Sequence, residues 1–162
     1  MLKQSLVLGL FLFCAACATN EPVTSVPVDV ITVDKSAHSG LVGYEPIYVR
    51  TYLKPAGKSR TEIKNVTCEI KGPGYTAKVV TPGIVNLPDK RDRSSSVNII
   101  CKKDGEIRNA IVTPYNKTSA NLVNSGGSGG LLGVLLVSGI DSIRNKTDDD
   151  WGYPNAEIIF NQ

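Results

Sequence analysis

Short segments of alternating apolar and polar residues, separated by turn residues, fill the middle of the chain between residues 45 and 113. One such segment, 45–53, divides into two faces, Ile47, Val49 and Thr51 on one side and Tyr48, Arg50 and Tyr52 on the other. Gly-Pro-Gly at 72–74 and Asp104-Gly105 are strong turn signals between neighbouring segments. Five or six short strands at this spacing predict a mainly β fold, a small antiparallel β-sandwich over residues 27–123.

Two cysteines lie inside predicted strands of this region. Cys68 belongs to the run 66–70 and Cys101 to the run 97–101. In an oxidising compartment the pair predicts a structural disulfide. Such a bridge closes a loop of about 34 residues and stabilises the fold by roughly 3–4 kcal/mol. The alternative, a redox or metal-binding pair, lacks both a Cys-x-x-Cys spacing and a nearby histidine.

Residues 65–113 resemble a PEGA-type domain, a small immunoglobulin-like β-sandwich module of bacterial surface proteins. Three runs carry the resemblance: Val-Thr-Cys-Glu-Ile at 66–70, Val-Val-Thr-Pro-Gly-Ile-Val-Asn-Leu at 79–87 and Val-Asn-Ile-Ile-Cys-Lys-Lys-Asp-Gly at 97–105. The resemblance implies a binding or structural role, because that module has no catalytic residues.

The first residues have the pattern of a secretory signal. Lys3 precedes an apolar run at 6–13, and the small residues Ala15 and Ala16 precede Cys17. This arrangement resembles a bacterial lipobox, which implies that residues 1–16 are removed and that Cys17 is acylated. Residues 17–26 then form a lipidated N-terminus and tether. Ala18, in place of Asp, implies sorting to the outer membrane.

A glycine-rich apolar segment, residues 125–140, begins the C-terminal region 124–162. Gly129 and Gly133 have the small-xxx-small spacing that permits close helix contact, and Leu131 and Leu135 lie beside them. We expect a short helix, too short to cross a bilayer. It packs against the sheet, contacts another subunit, or enters the lipid interface beside the anchor. An acidic loop and a final strand near 156–160 follow.

The sequence offers little material for catalysis. His38 is the only histidine, and it lies in a loop rich in serine and glycine. The glycine-rich segment lacks the lysine of a phosphate-binding loop, and the net charge of +3 is too small to indicate a nucleic-acid binder. The acidic run 148–150 lacks the spacing of a calcium loop. We therefore expect no enzyme activity, cofactor, metal, nucleotide or nucleic acid.

These patterns together predict a lipid-anchored envelope protein that serves as a structural or accessory subunit. Its partner would be another envelope protein or a second copy of the chain. Tyr48, Tyr52 and Trp151 are candidate contact residues, because aromatic residues are enriched at interfaces, although ordinary core packing is an equal alternative. A second hypothesis is a cell-surface glycan or small-ligand binder that uses Trp151 and Tyr153, and a third is a hydrolase that uses His38.

Overall fold

The computed structural model describes residues 21–121, 145–146 and 148–161, and this part of the chain is mainly β. The predicted signal peptide 1–16, Cys17, the glycine-rich helix and its residues Gly129, Leu131, Gly133 and Leu135 lie outside the described residues. The strands are β1 (Val28–Asp29), β2 (Ile31–Thr32), β3 (Gly43–Lys54), β4 (Thr61–Ile63), β5 (Val66–Gly72), β6 (Tyr75–Thr81), β7 (Gly83–Asp89), β8 (Val97–Lys103), β9 (Glu106–Val112), β10 (Tyr115–Asn116), β11 (Trp151–Gly152) and β12 (Ala156–Asn161). Two 3₁₀ turns, η1 (Lys35–His38) and η2 (Arg91–Arg93), lie in loops, and residues 117–121 are helical.

The strands of the described chain form two five-stranded sheets and one small pair. The β3 sheet has the order β1-β7-β3-β12, with β4 also paired to β3. The β5 sheet has the order β2-β6-β5-β8-β9, and β10 pairs with β11. The predicted sandwich fold class is confirmed.

Most pairings are antiparallel, as expected, but β1 pairs with β7 and β12 pairs with β3 in parallel. The second case has a simple physical reason. The chain returns through β11 to the end of the sandwich where β3 begins, so β12 starts beside β3 and runs in the same direction.

The core lies between the two sheets. It is built from the residues at alternate positions along each strand that point inward. The predicted inward face of β3 is confirmed, because Ile47, Val49 and Thr51 are fully buried. Thr51 is polar, but its hydroxyl lies 2.6 Å from that of Thr81 on the opposite sheet. This buried hydrogen bond satisfies both hydroxyls and joins the two layers.

The two ends of the sandwich differ. At one end, here called the hairpin end, lie the β3–β4 hairpin, the β8–β9 hairpin and the last residue of β12, Asn161. At the other, the loop end, lie residues 33–42, residues 90–96 and the segment from 113 to 155 as far as it is described. β3 has 12 residues and links both ends, a distance of about 36 Å at 3.3 Å per residue.

Within the described residues, no helix has the length and apolar character needed to cross a bilayer.

Candidate functional site

The N-terminal arm, residues 21–27, is attached to the β3 sheet by its first described residue. The carbonyl oxygen of Glu21 accepts a hydrogen bond of 2.6 Å from Nη2 of Arg50, and its carboxylate lies 2.5 Å from Nζ of Lys64. The hydrogen bond and charge of Lys64 lower the pKa of the Glu21 carboxyl, and Glu21 in turn raises the pKa of Lys64. The predicted tether therefore contacts the folded body from residue 21 onward.

The predicted disulfide between Cys68 and Cys101 is present. The two residues are directly opposite on β5 and β8, with their Cα atoms 4.0 Å apart, and both side chains are fully buried. The bridge therefore links neighbouring strands within one sheet. Because the bridge is fully buried, the structural assignment is favoured over a reactive pair.

The β8–β9 hairpin turns Ile107 and Ile111 of β9 away from the core, whereas Val112 at the end of the strand stays buried in it. Asp104 and Gly105 have φ values of 48° and 83°, which suits a two-residue hairpin turn with both central residues left-handed. This turn fixes the register that places Arg108 opposite Cys101 on the inner side. Because side chains alternate along a strand, Ile107 and Ile111 then point outward, where they are 58% and 69% exposed.

β9 is also an edge strand, since in the described chain it pairs only with β8. Its inward side carries Glu106 and Arg108, which form an ion pair of 2.5 Å. The Nε of Arg108 is buried and has no hydrogen-bond partner among the described residues. Ile107 and Ile111, together with half-buried Ile100 on the same outer face of neighbouring β8, form an apolar surface, here called the β9 surface.

The candidate contact tyrosines of β3 have different environments. Tyr48 is 41% exposed and borders a groove lined by Pro22 and Val23 of the arm and by Asn155. Tyr52 is only 2% exposed, with the guanidinium of Arg60 4.3 Å from its ring centre. The prediction that Tyr52 contacts a partner is therefore corrected, because the side chain is covered by its own fold.

Trp151 lies at the loop end in a groove bordered by Arg91, Arg93 and Lys146. η2 supplies the two arginines, and Trp151 is half-buried in β11. Arg91 lies 3.8 Å from Asp148, and Asp92 also borders the groove. The groove, here called the Trp151 groove, thus combines one aromatic ring with three cationic side chains.

Tyr153, the second aromatic residue of the glycan hypothesis, is 6% exposed. Its hydroxyl donates to the carbonyl of Ser95 at 3.1 Å, and burial raises the pKa of both Tyr153 and neighbouring Tyr75. This tyrosine is therefore part of the core at the loop end, and its proposed contact with a ligand is corrected.

Lys117 holds the β10–β11 pair against the start of β3. Its Nζ lies 3.0 Å from Glu45 and 3.1 Å from Asp150. Burial alone lowers the pKa of this amine, but the two carboxylates outweigh that effect and raise it above the ordinary value. In the same acidic run, Asp149 is buried and accepts a hydrogen bond from Asn116. The carboxylates of Asp149 and Asp150 in the acidic loop thus contact side chains of the same domain.

His38 is exposed at the end of η1, and its Nε2 lies 3.1 Å from the hydroxyl of Thr32. No described contact joins His38 to a carboxylate.

The basic residues at 90–93 and those at 102–108 lie at opposite ends of β8, so they do not form one patch. Among the described residues, no group of three or more His, Cys, Asp or Glu side chains is placed to hold a metal ion.

Two features were not predicted from the sequence, the arm contacts of Glu21 and the outward face of β9. The first joins residues 29 and 43 positions apart and leaves no local pattern. The second depends on the turn register, and the Asp-Gly signal was the one sequence clue to it.

Comparison with protein-family models, with curated proteins and with solved structures found no match to this chain. The resemblance to PEGA-type domains therefore stays a prediction.

Proposed function

We propose that this chain is a lipid-anchored lipoprotein of the bacterial outer membrane that acts as a non-enzymatic accessory subunit and presents a protein-binding surface. The observation that carries the proposal is the outward position of Ile107 and Ile111 on an edge strand. A strand that alternates apolar and polar residues normally buries its apolar side. Here the hairpin turn directs Ile107 and Ile111 to solvent, beside half-buried Ile100 of β8.

The lipid anchor is supported by the sequence around Cys17 and by the way the arm joins the domain. Residues 21–27 lead from the predicted anchor to β1 without an independent folded unit, and Glu21 already contacts Arg50 of β3 and Lys64, the residue that follows β4. The domain would therefore stay close to the membrane that holds the acyl chains.

The surface is tested by co-purification of the tagged native protein from detergent-solubilised membranes, with mass spectrometry of bound proteins. The double variant Ile107→Lys/Ile111→Lys is expected to lose its specific partner, because two charges then occupy the β9 surface. Val33→Lys, which changes a residue that is 71% exposed at the loop end, is the matched control and should keep it. Equal recovery of partners by all three proteins would contradict the proposal.

The anchor is tested separately by Cys17→Ser. This variant is expected in the soluble fraction, whereas the wild type should carry acyl chains in its intact mass. Retention of Cys17→Ser in the membrane would count against acylation at this cysteine.

A second candidate function is the binding of an acidic glycan or another anionic small ligand. The Trp151 groove favours it, since aromatic rings stack on apolar faces of ligands and guanidinium groups bind carboxylates and phosphates. Trp151 is the only tryptophan, so its fluorescence reports on this groove alone. Titration with peptidoglycan fragments should shift the emission and raise the melting temperature, and unchanged spectra at saturating ligand would reject this function.

A further inference from the structure

We infer that the hairpin end of the sandwich faces the membrane and that the β3–β4 hairpin binds anionic lipid headgroups through Lys54 and Lys58. This inference rests on the proposed lipid anchor at Cys17. It goes further, because it gives the domain one orientation and assigns the lipid contact to named residues.

The direction of the arm is the first support. β1 runs parallel to β7, with Val28 opposite Val85. β7 begins with Gly83, opposite Val49 near the middle of β3, and runs from there toward the loop end. The chain therefore moves toward the hairpin end when it is followed backward from β1. Glu21 lies in this direction, on Arg50 and Lys64.

The length of the remaining chain is the second support. Four residue steps separate Glu21 from Cys17, a span of at most about 14 Å. From Arg50, which holds Glu21, β3 continues for four residues to Lys54, about 13 Å toward the same end. These two lengths match, so the chain from Glu21 to an acylated Cys17 is long enough to reach the level of Lys54, where the β3–β4 hairpin begins.

The charge of the hairpin is the third support. Residues 54–60 contain Lys54, Lys58 and Arg60 and no acidic residue. Arg60 is bonded to Glu157, but Lys54 and Lys58 are exposed and form no ion pair with any residue in the described part of the chain. Exposed lysines beside an anionic membrane surface each strengthen binding by about fivefold, an effect that falls off within a Debye length.

The inference is tested with the acylated protein in vesicles and a fluorophore on one introduced cysteine. Ser59→Cys places the probe in the β3–β4 hairpin, and Ser39→Cys places the matched control at the loop end. Cys17 is acylated and Cys68 is bridged to Cys101, so the added thiol is the one that reacts. The vesicles contain phosphatidylglycerol and a lipid with a quencher on its headgroup.

We expect strong quenching at Ser59 and little at Ser39, which lies about 36 Å farther away along β3. Quenching at Ser59 should fall when phosphatidylcholine replaces phosphatidylglycerol, and when Lys54→Glu and Lys58→Glu are combined. Lys35→Glu combined with Lys78→Glu makes the same change in charge away from the hairpin and should leave the quenching unchanged.

Equal quenching at Ser59 and Ser39 in an acylated protein would overturn the orientation. Quenching at Ser59 that is insensitive to both the lipid charge and the two hairpin substitutions would overturn the headgroup contact. An intact mass without acyl chains would instead overturn the proposed anchor, and the mass spectrum distinguishes that failure from the other two.

Discussion

The bridge between Cys68 and Cys101 connects residues that the β-ladder already holds side by side. Its contribution to stability therefore comes chiefly from the unfolded chain, in which it closes a long loop. It also removes two thiols from reaction inside a fully buried site.

Replacement of both cysteines by alanine is expected to lower the free energy of unfolding by about 3.5 kcal/mol, because the bridge joins residues 33 positions apart. Denaturant unfolding of the wild type and the double variant measures the difference. The reduced wild-type protein is the control and should lose a similar amount. Equal stability of the oxidised wild type and the variant would refute a stabilising role.

The turn from β6 to β7 depends on one glycine. Gly83 begins β7 beside the buried Thr51–Thr81 bond, and a Cβ atom at this position would lie 2.6 Å from the backbone oxygen of Val80 and against the side chain of Val79. The backbone of Val80 belongs to β6, which is paired with β5, so this oxygen cannot move away without disturbing the hydrogen bonds between the two strands. The two sheets are thus connected here by a segment with no room for a side chain.

Gly83→Ala is accordingly expected to destabilise the protein by about 2–3 kcal/mol. Gly43→Ala is the matched control in the same sheet, because a Cβ atom there would meet nothing within 4 Å. Thermal unfolding of both variants should show a lower melting temperature for the first and an unchanged or slightly higher one for the second. A Gly83→Ala protein as stable as Gly43→Ala would show that the backbone adjusts at this turn.

Strand positions and turns were predictable because their signals are local. The alternation in 45–53, the Asp-Gly turn and the pair of strand cysteines each correspond to the observed elements. The outward face of β9 was not predictable from alternation, because the register set by the turn outweighs the preference of Ile107 and Ile111 for burial. Tyr52 is covered by Arg60 from the loop of the β3–β4 hairpin, so the alternation within 45–53 does not predict its burial.

The candidate sites were predicted less well for the same reason. The sequence pointed to Trp151 but not to the arginines of η2 that share its groove. The contacts of the arm depend on three residues that are far apart in sequence. Sites of this kind arise from tertiary placement rather than from a motif.

Across the whole molecule, the arm and the domain are joined by a contact that depends on pH. The pKa of Glu21 is lowered from its ordinary 4.5 by the hydrogen bond and charge of Lys64. A carboxyl whose folded-state pKa is lowered stabilises the contact above the unfolded value and loses this effect as the pH falls through the folded value. The contact between Glu21 and Lys64 should therefore be present at neutral pH and be lost in acid, below pH 4.5.

The side-chain ¹⁵N resonance of Lys64 measures this loss. It is expected to shift between neutral and acidic pH in the wild type, while Glu21→Gln gives the shifted position at every pH. The resonance of Lys58, which forms no ion pair in the described chain, is the internal control and should not move. A Lys64 resonance that behaves like that of Lys58 would mean that the contact does not form in solution.

The parallel pairing of β1 with β7 determines how the domain would carry mechanical load. A partner bound to the β9 surface and an anchor at Cys17 would place the arm under tension along the direction of the strands. β1 runs along that axis, and its pairing with β7 is reinforced by a side-chain hydrogen bond of 2.7 Å between Asn86 and Asp29. A pull along this axis would load the bonds between β1 and β7 in shear, so they would bear the force together and not break one after another. The bonds of Arg50 and Lys64 to Glu21 would be loaded at the same time. An anchor at Cys17 would thus pull on the sandwich in the direction in which short strands resist force best.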